Sequence, residues 1–157
     1  MARYFFDSSA LAKRYHPEPG TAKVLSIFSE PGREVRISKL SFLELQSVFA
    51  MKVRGGVIGR ADAGVQRARL MVDVASGEIE VCSMTDNLFT AAEQLIVRHS
   101  FSHRLRTLDS LQLAMALDLS RQGLLDQFVV SDKALGEVAV HDRARRTSTV
   151  RKDPSKP

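Results

Sequence analysis

Four acidic residues occupy positions that an apolar chain does not ordinarily give to a charge. Asp7 directly follows an aromatic and apolar run at residues 2–6, and Asp132 directly follows Phe128-Val129-Val130-Ser131. Ligands of open α/β sheets bind just beyond the carboxyl ends of strands, so both acids stand where sites form. Glu44 lies within Leu40-Ser41-Phe42-Leu43-Glu44-Leu45, on the helical stripe of Leu40 and Val48. Asp109 opens a segment that is apolar nearly all round, between Leu108 and Leu111. A lone carboxylate in an apolar shell is costly unless it is paired, hydrogen-bonded or bound to a metal. One such residue is a cap or an ion pair. Four of them point to a shared acidic pocket.

Carboxylates at close range cannot all stay ionised without a cation. Oxygen ligands with no cysteine or histidine cluster favour a hard ion such as Mg²⁺ or Mn²⁺ over zinc. On a basic chain that combination points to work on phosphates, where the ion polarises a phosphoryl oxygen and acidifies a bound water for in-line attack. Each acid also has a simpler role open to it. Asp7 fits an Asx-turn with Ser8 or Ser9, and Glu44 the exposed edge of its helix. Asp109 fits the N-terminal dipole of the helix it begins, and Asp132 an N-cap before Lys133-Ala134-Leu135.

The elements around these acids follow from periodicity and punctuation. A short strand at residues 2–6 leads to a brief helix over 9–15, stopped by Pro17-Glu18-Pro19-Gly20. Thr21 reads as the N-cap of a helix to residue 29, and Pro31-Gly32 ends it. Residues 35–38 and 79–84 read as strands, with helices over 39–54 and 60–75 between them. Thr85 caps a helix to about residue 99, and Thr107 caps the apolar helix that Gly123 ends. A strand at 128–131 follows, then a helix from 133 to about 143 and a candidate last strand at 147–150. Strands separated by helices imply an α/β fold, a central mainly parallel sheet with helices on both faces. One domain over residues 1–150 is expected, followed by a charged, disordered tail at 151–157 that contains two prolines.

Bulk properties narrow the function. The chain has 157 residues, long enough to bury a core without disulfide or metal staples. Its one cysteine, Cys82, cannot form an internal disulfide and reads as a buried strand residue in a reducing compartment. No apolar stretch approaches the roughly 20 residues that span a bilayer, and Asp7 and Lys13 interrupt any secretory signal. A cytoplasmic protein is expected. The net charge of +5 attracts polyanions, nucleic acid first among them. Arg104 and Arg106, just before Asp109, are candidates for substrate phosphate contacts, as is the cluster Arg143-Arg145-Arg146 with Arg151-Lys152. His16, His99, His103 and His141 are scattered and read as surface residues.

These segments resemble a known family. Tyr4-Phe5-Phe6-Asp7-Ser8-Ser9-Ala10-Leu11-Ala12-Lys13 with Pro17-Glu18-Pro19-Gly20 resembles the start of PIN-domain proteins of the VapC type. Leu40 to Leu45 is similar to their second acidic motif. Leu105-Arg106-Thr107-Leu108-Asp109-Ser110-Leu111-Gln112-Leu113-Ala114 is similar to the third, and Val129-Val130-Ser131-Asp132-Lys133-Ala134-Leu135 to the fourth. The resemblance implies a three-layer α/β/α fold and Mg²⁺- or Mn²⁺-dependent endonucleolytic cleavage of RNA by metal-activated water. It implies homodimers and, in the toxin subgroup, a cognate antitoxin. Carried over, Asp7 and Asp109 are the direct metal ligands. Glu44 acts through water, Asp132 completes the cluster for a second ion, and Ser9 orients Asp7. Gln112 stands where a histidine is common, a difference expected to change little. The polar stretch from Gly136 to Arg146 departs from the family before its last strand.

Three functions share these features. One is a toxin ribonuclease of a type II toxin–antitoxin pair. Another is a catalytically silent PIN-fold module that binds RNA or protein. The third is an RNA-processing nuclease that is not a toxin. Retention of all four acids favours catalysis, and the absence of an added domain favours the toxin.

Overall fold

The computed structural model describes residues 1–141. The expected last strand at 147–150, the end of the preceding helix, the tail and the cluster from Arg143 to Lys152 lie outside the described residues. The elements run β1 (Arg3–Phe6), α1 (Ser8–Tyr15), α2 (Thr21–Phe28), β2 (Glu34–Ser38), α3 (Lys39–Arg54) and α4 (Arg60–Ala75). They continue with β3 (Glu80–Cys82), α5 (Asp86–His99), α6 (Thr107–Arg121), β4 (Gln127–Val129) and α7 (Lys133–His141).

Local chemistry sets most boundaries. His16 precedes Pro17 and is extended, which a pre-proline residue must be, so α1 stops there. Gly20 then takes the N-cap of α2 with φ +93°, a left-handed conformation that costs glycine little. The expected cap, Thr21, is instead the first helical residue. Its hydroxyl accepts from the Glu18 amide at 3.0 Å and donates to the Lys13 carbonyl at 3.1 Å. Thr107 is likewise inside its helix, with Arg106 at the cap position. Thr85 holds the cap of α5 without a capping hydrogen bond.

All four strands are parallel in the order β3-β2-β1-β4. Side chains alternate across a strand, and β1 shows the consequence. Tyr4 and Phe6 enter one core with Val35, Ile37 and residues of α1 to α4, including Leu11, Val24, Leu45 and Leu70. Phe5 enters the other with Phe128, packed 5.6 Å away centroid to centroid, and residues of α5 to α7. The sheet is thus buried on both faces, which explains why β1 and the segment through β4 read as continuous apolar runs. This is the three-layer α/β/α arrangement expected from the sequence.

Chain connections leave β1 toward β2 on one side and reach β4 on the other. Between β1 and β4 the order reverses, and that crevice is where open α/β sheets bind ligands. Register aligns the carboxyl ends: Phe6 pairs with Ile37 and with Val129, and Ser38 with Cys82. Cys82 is half-buried at the end of the outer strand, not in the core interior, and burial pushes its thiol up, away from a reactive thiolate.

Candidate functional site

Asp7 is the first residue beyond β1. Its amide donates to the Val129 carbonyl of β4 at 3.1 Å, so the backbone at this point bridges the crevice. Its side chain caps α1, with Oδ1 accepting from the Ala10 amide at 2.8 Å. Oδ2 accepts from the Ser9 hydroxyl at 2.6 Å, and Ser9 Oγ in turn accepts from the Ser131 amide at 3.3 Å. Ser9 therefore ties the Asp7 carboxylate to the end of β4. The carboxylate is only 4% exposed.

Asp109 stands in the first turn of α6, and Asp132 caps α7 with Oδ1 accepting from the Leu135 amide at 3.0 Å. Glu44 is half-buried on α3, and its Oε2 accepts from the Ser8 hydroxyl and from Gln112 Nε2, the latter at 2.8 Å. Asp109 and Asp132 thus fill the simpler roles foreseen for them at helix N-termini, and Asp7, foreseen in an Asx-turn with Ser8 or Ser9, caps α1 instead. These roles coexist with a second property that only the fold creates.

Asp7, Glu44 and Asp132 each lie within reach of the charge on Asp109. Burial pushes the Asp109 carboxyl up, and the negative charges of Asp132 and Glu44 push it further, against Arg106, which pulls it down. Burial pushes the Asp7 carboxyl up to about 6, with the Asp109 charge adding to the rise and bonds from Ser9 and Ala10 opposing it. Asp109 is thus the hub through which the acids feel one another. Raised pKa values are what desolvated, mutually repelling carboxylates show, and they cluster at functional sites.

Among the described residues, no group of three or more His, Cys, Asp or Glu side chains is arranged to enclose a metal ion. A closed cage is not needed for Mg²⁺, which keeps several waters and binds through one or two carboxylates. The donors near Asp109 are oxygen only, buried at Asp7 and crowded by like charge, and the residues present fit a hard cation of this kind.

Arg104 and Arg106 are exposed in the segment before α6, and the Arg106 guanidinium is near enough to act on Asp109. His99, expected on the surface, is buried, with its ring edge-on to His103 at 6.2 Å. His16 and His103 are half-buried.

Sequence reading overlooked a polar cluster behind Glu44. Ser8, Ser38, Ser41 and Gln112 are all buried, and they join α1, the end of β2, α3 and α6. Gln112, expected to matter little, makes bonds to three of these elements. A signal was present: Gln112 falls between Leu111 and Leu113 on an all-apolar helix, and a buried amide needs partners.

A family model described as the PIN domain matches residues 4–140. No curated protein sequence matches the chain. The VapC20 toxin of Mycobacterium tuberculosis, described as Sarcin-Ricin loop cleaving, has a similar structure, with TM-score 0.62 and 16% identity over 85% of this chain and 93% of that one. FitAB bound to the IR36 DNA fragment gives TM-score 0.63 and 13% identity over 94% of each chain. VapBC2 from Rickettsia felis, bound to a promoter DNA fragment, gives 0.59 and 12%, over 87% and 92%.

Proposed function

From the premise that this chain belongs to the PIN-domain family, we propose that it is a Mg²⁺- or Mn²⁺-dependent endoribonuclease and the toxin of a type II toxin–antitoxin pair. The observation that carries the reading is the electrostatic coupling of four carboxylates around Asp109, at the crevice where the strand order reverses. The net charge of +5 suits a polyanionic substrate. RNA as that substrate, and an antitoxin as partner, rest on the fold shared with a structure described as a Sarcin-Ricin loop cleaving toxin and with the VapBC2 and FitAB structures. A homodimer in the cytoplasm belongs to the same proposal. No described helix is long and apolar enough to cross a membrane.

Asp7 and Asp109 would hold the cation directly. Glu44 would orient the attacking water, and Asp132 would complete the cluster or hold a second ion. When bound, the cation supplies positive charge to a phosphoryl oxygen and acidifies water. The protein's own residues do the rest. Ser9 and the Ala10 amide hold one lone pair on each Asp7 oxygen, which fixes the carboxylate plane while leaving the remaining lone pairs for a ligand. Arg106, beside Asp109, and Arg104 would take up backbone phosphates of the substrate.

The test is cleavage of a mixed pool of structured RNAs in Mg²⁺, Mn²⁺ or EDTA. Wild type cuts in either ion and stops in EDTA, and Asp109→Asn stops in all three. RNA binding that is equal with Mg²⁺ and EDTA, with no cutting, would instead favour a silent binding module. Ser9→Ala provides a graded check. Losing the 2.6 Å bond to Asp7 frees the carboxylate to rotate, and cation affinity falls on the order of 10-fold, measurable by Mn²⁺ titration. Unchanged affinity would remove Ser9 from the site.

A further inference from the structure

We propose that Gln112 is a positioning residue that sets the orientation of Glu44, an inference that rests on the nuclease reading above. Gln112 is 2% exposed on α6 and lies one helical turn from Asp109, so a single turn carries both the central acid and this amide.

The hydrogen-bond directions in the cluster are fixed by what each group can donate. Ser38 Oγ donates to Gln112 Oε1 at 3.0 Å and accepts from the Ser41 amide at 3.0 Å. Its one proton is therefore spent, so in the 3.2 Å contact between the two hydroxyls Ser41 is the donor. Ser41 Oγ accepts from Gln112 Nε2 at 2.8 Å, which closes a ring of Ser38, Gln112 and Ser41. The second Nε2 proton goes to Glu44 Oε2 at 2.8 Å, with Ser8 Oγ at 3.2 Å as a weaker alternative. Ser8 Oγ donates to the same Glu44 oxygen.

This ring leaves the amide only one orientation. Reversed, Gln112 Oε1 would face the Glu44 carboxylate and Nε2 would face the Ser38 hydroxyl, leaving a buried donor without an acceptor and an acceptor against an acceptor. Glu44 Oε2 is thus held by two donors on rigid elements. Its Oε1 makes no hydrogen bond to the described residues and is the oxygen left to hold a water. Because the donors come from α1, which Asp7 caps, and α6, which carries Asp109, the position of Glu44 is referred to the same two elements as the direct ligands.

A double-mutant cycle of Gln112→Met and Glu44→Ala tests this, with two readouts. In RNA cleavage, Gln112→Met lowers kcat about 10- to 50-fold and leaves KM within about threefold, and adding it to Glu44→Ala changes nothing further. Gln112→His, which retains a ring N–H donor, recovers most of the loss. In urea unfolding of the cation-free proteins, the two substitutions shift the midpoint by less together than the sum of their separate shifts. Equal kcat losses from Gln112→Met in both backgrounds would overturn the proposal, since a residue acting only on the fold gives them, and additive midpoints would overturn it by denying the Gln112–Glu44 contact. If wild type cuts no RNA, the nuclease reading fails by itself. The urea cycle then still decides, with non-additivity supporting the Gln112–Glu44 coupling and additivity ending it.

Discussion

Asp7→Asn abolishes cation-dependent cleavage and at the same time makes the cation-free protein more stable at neutral pH. The loss of activity is about 10³-fold, the upper end of what removing one electrostatic group costs an active site. The gain in stability follows from the raised pKa. The carboxyl moves from 3.8 to about 6 on folding because burial disfavours its charge. Each unit is worth about 1.4 kcal/mol, so ionised Asp7 costs the folded state up to about 3 kcal/mol at pH 7. Asparagine keeps an oxygen for the Ala10 amide and the α1 cap, but adds an N–H₂ group that needs acceptors, so a net gain on the order of 1–2 kcal/mol is expected. In thermal melts of a chain this size that is a few degrees.

The same shift sets the pH dependence. Between about pH 4 and 6 the folded Asp7 holds a proton that the unfolded chain has released, so this residue's contribution to stability falls as pH rises through that window. Asp7→Asn removes this dependence. A variant that was inactive and also less stable at pH 7 would show a damaged fold, and the placement of the site at Asp7 would lose its support.

Mn²⁺ or Mg²⁺ reverses the neutral-pH penalty in wild type. A cation bound only by the folded state at 100 times its dissociation constant adds about 2.7 kcal/mol, an expected rise of roughly 5–10 °C in the melting midpoint. Ligation requires deprotonated carboxylates. With Asp7 at about 6, only about a tenth of the molecules have it ionised at pH 5, so apparent affinity there falls on the order of 10-fold. Melts in Mn²⁺, Mg²⁺ and matched NaCl at pH 7 and pH 5 measure both effects. A divalent shift equal to the NaCl shift would sink the metal assignment and leave the fold untouched.

What the sequence by itself determined was the layering and the location of the acids along the chain. Strand and helix periods differ, and turn residues punctuate them, so β1, α3, α4 and α6 were legible in kind and nearly in extent. Asp7, Glu44, Asp109 and Asp132 stood out because a charge among apolar residues carries a solvation cost that local structure does not explain. Cap positions were read less well. Thr21 and Thr107 have good cap chemistry, but the chain reaches α2 through Gly20 in a left-handed turn and α6 through extended Arg106. Cys82 and His99 were misplaced because burial depends on what other elements bring to a residue, which its own neighbours in sequence do not reveal.

Only the tertiary structure decided that the four acids share one electrostatic environment. Coulombic interaction depends on separation in space, and the parallel order β3-β2-β1-β4 brings residues more than a hundred positions apart to the carboxyl ends of the strands. The polar ring behind Glu44 is likewise a tertiary product. Ser8, Ser38, Ser41 and Gln112 are ordinary residues one by one, and the ring closes only through donors and acceptors on different elements. Hydrophobic pattern is written locally because each element must bury its own face. The geometry of a polar site is not, because the bonds that join its local caps into one site have partners elsewhere in the chain.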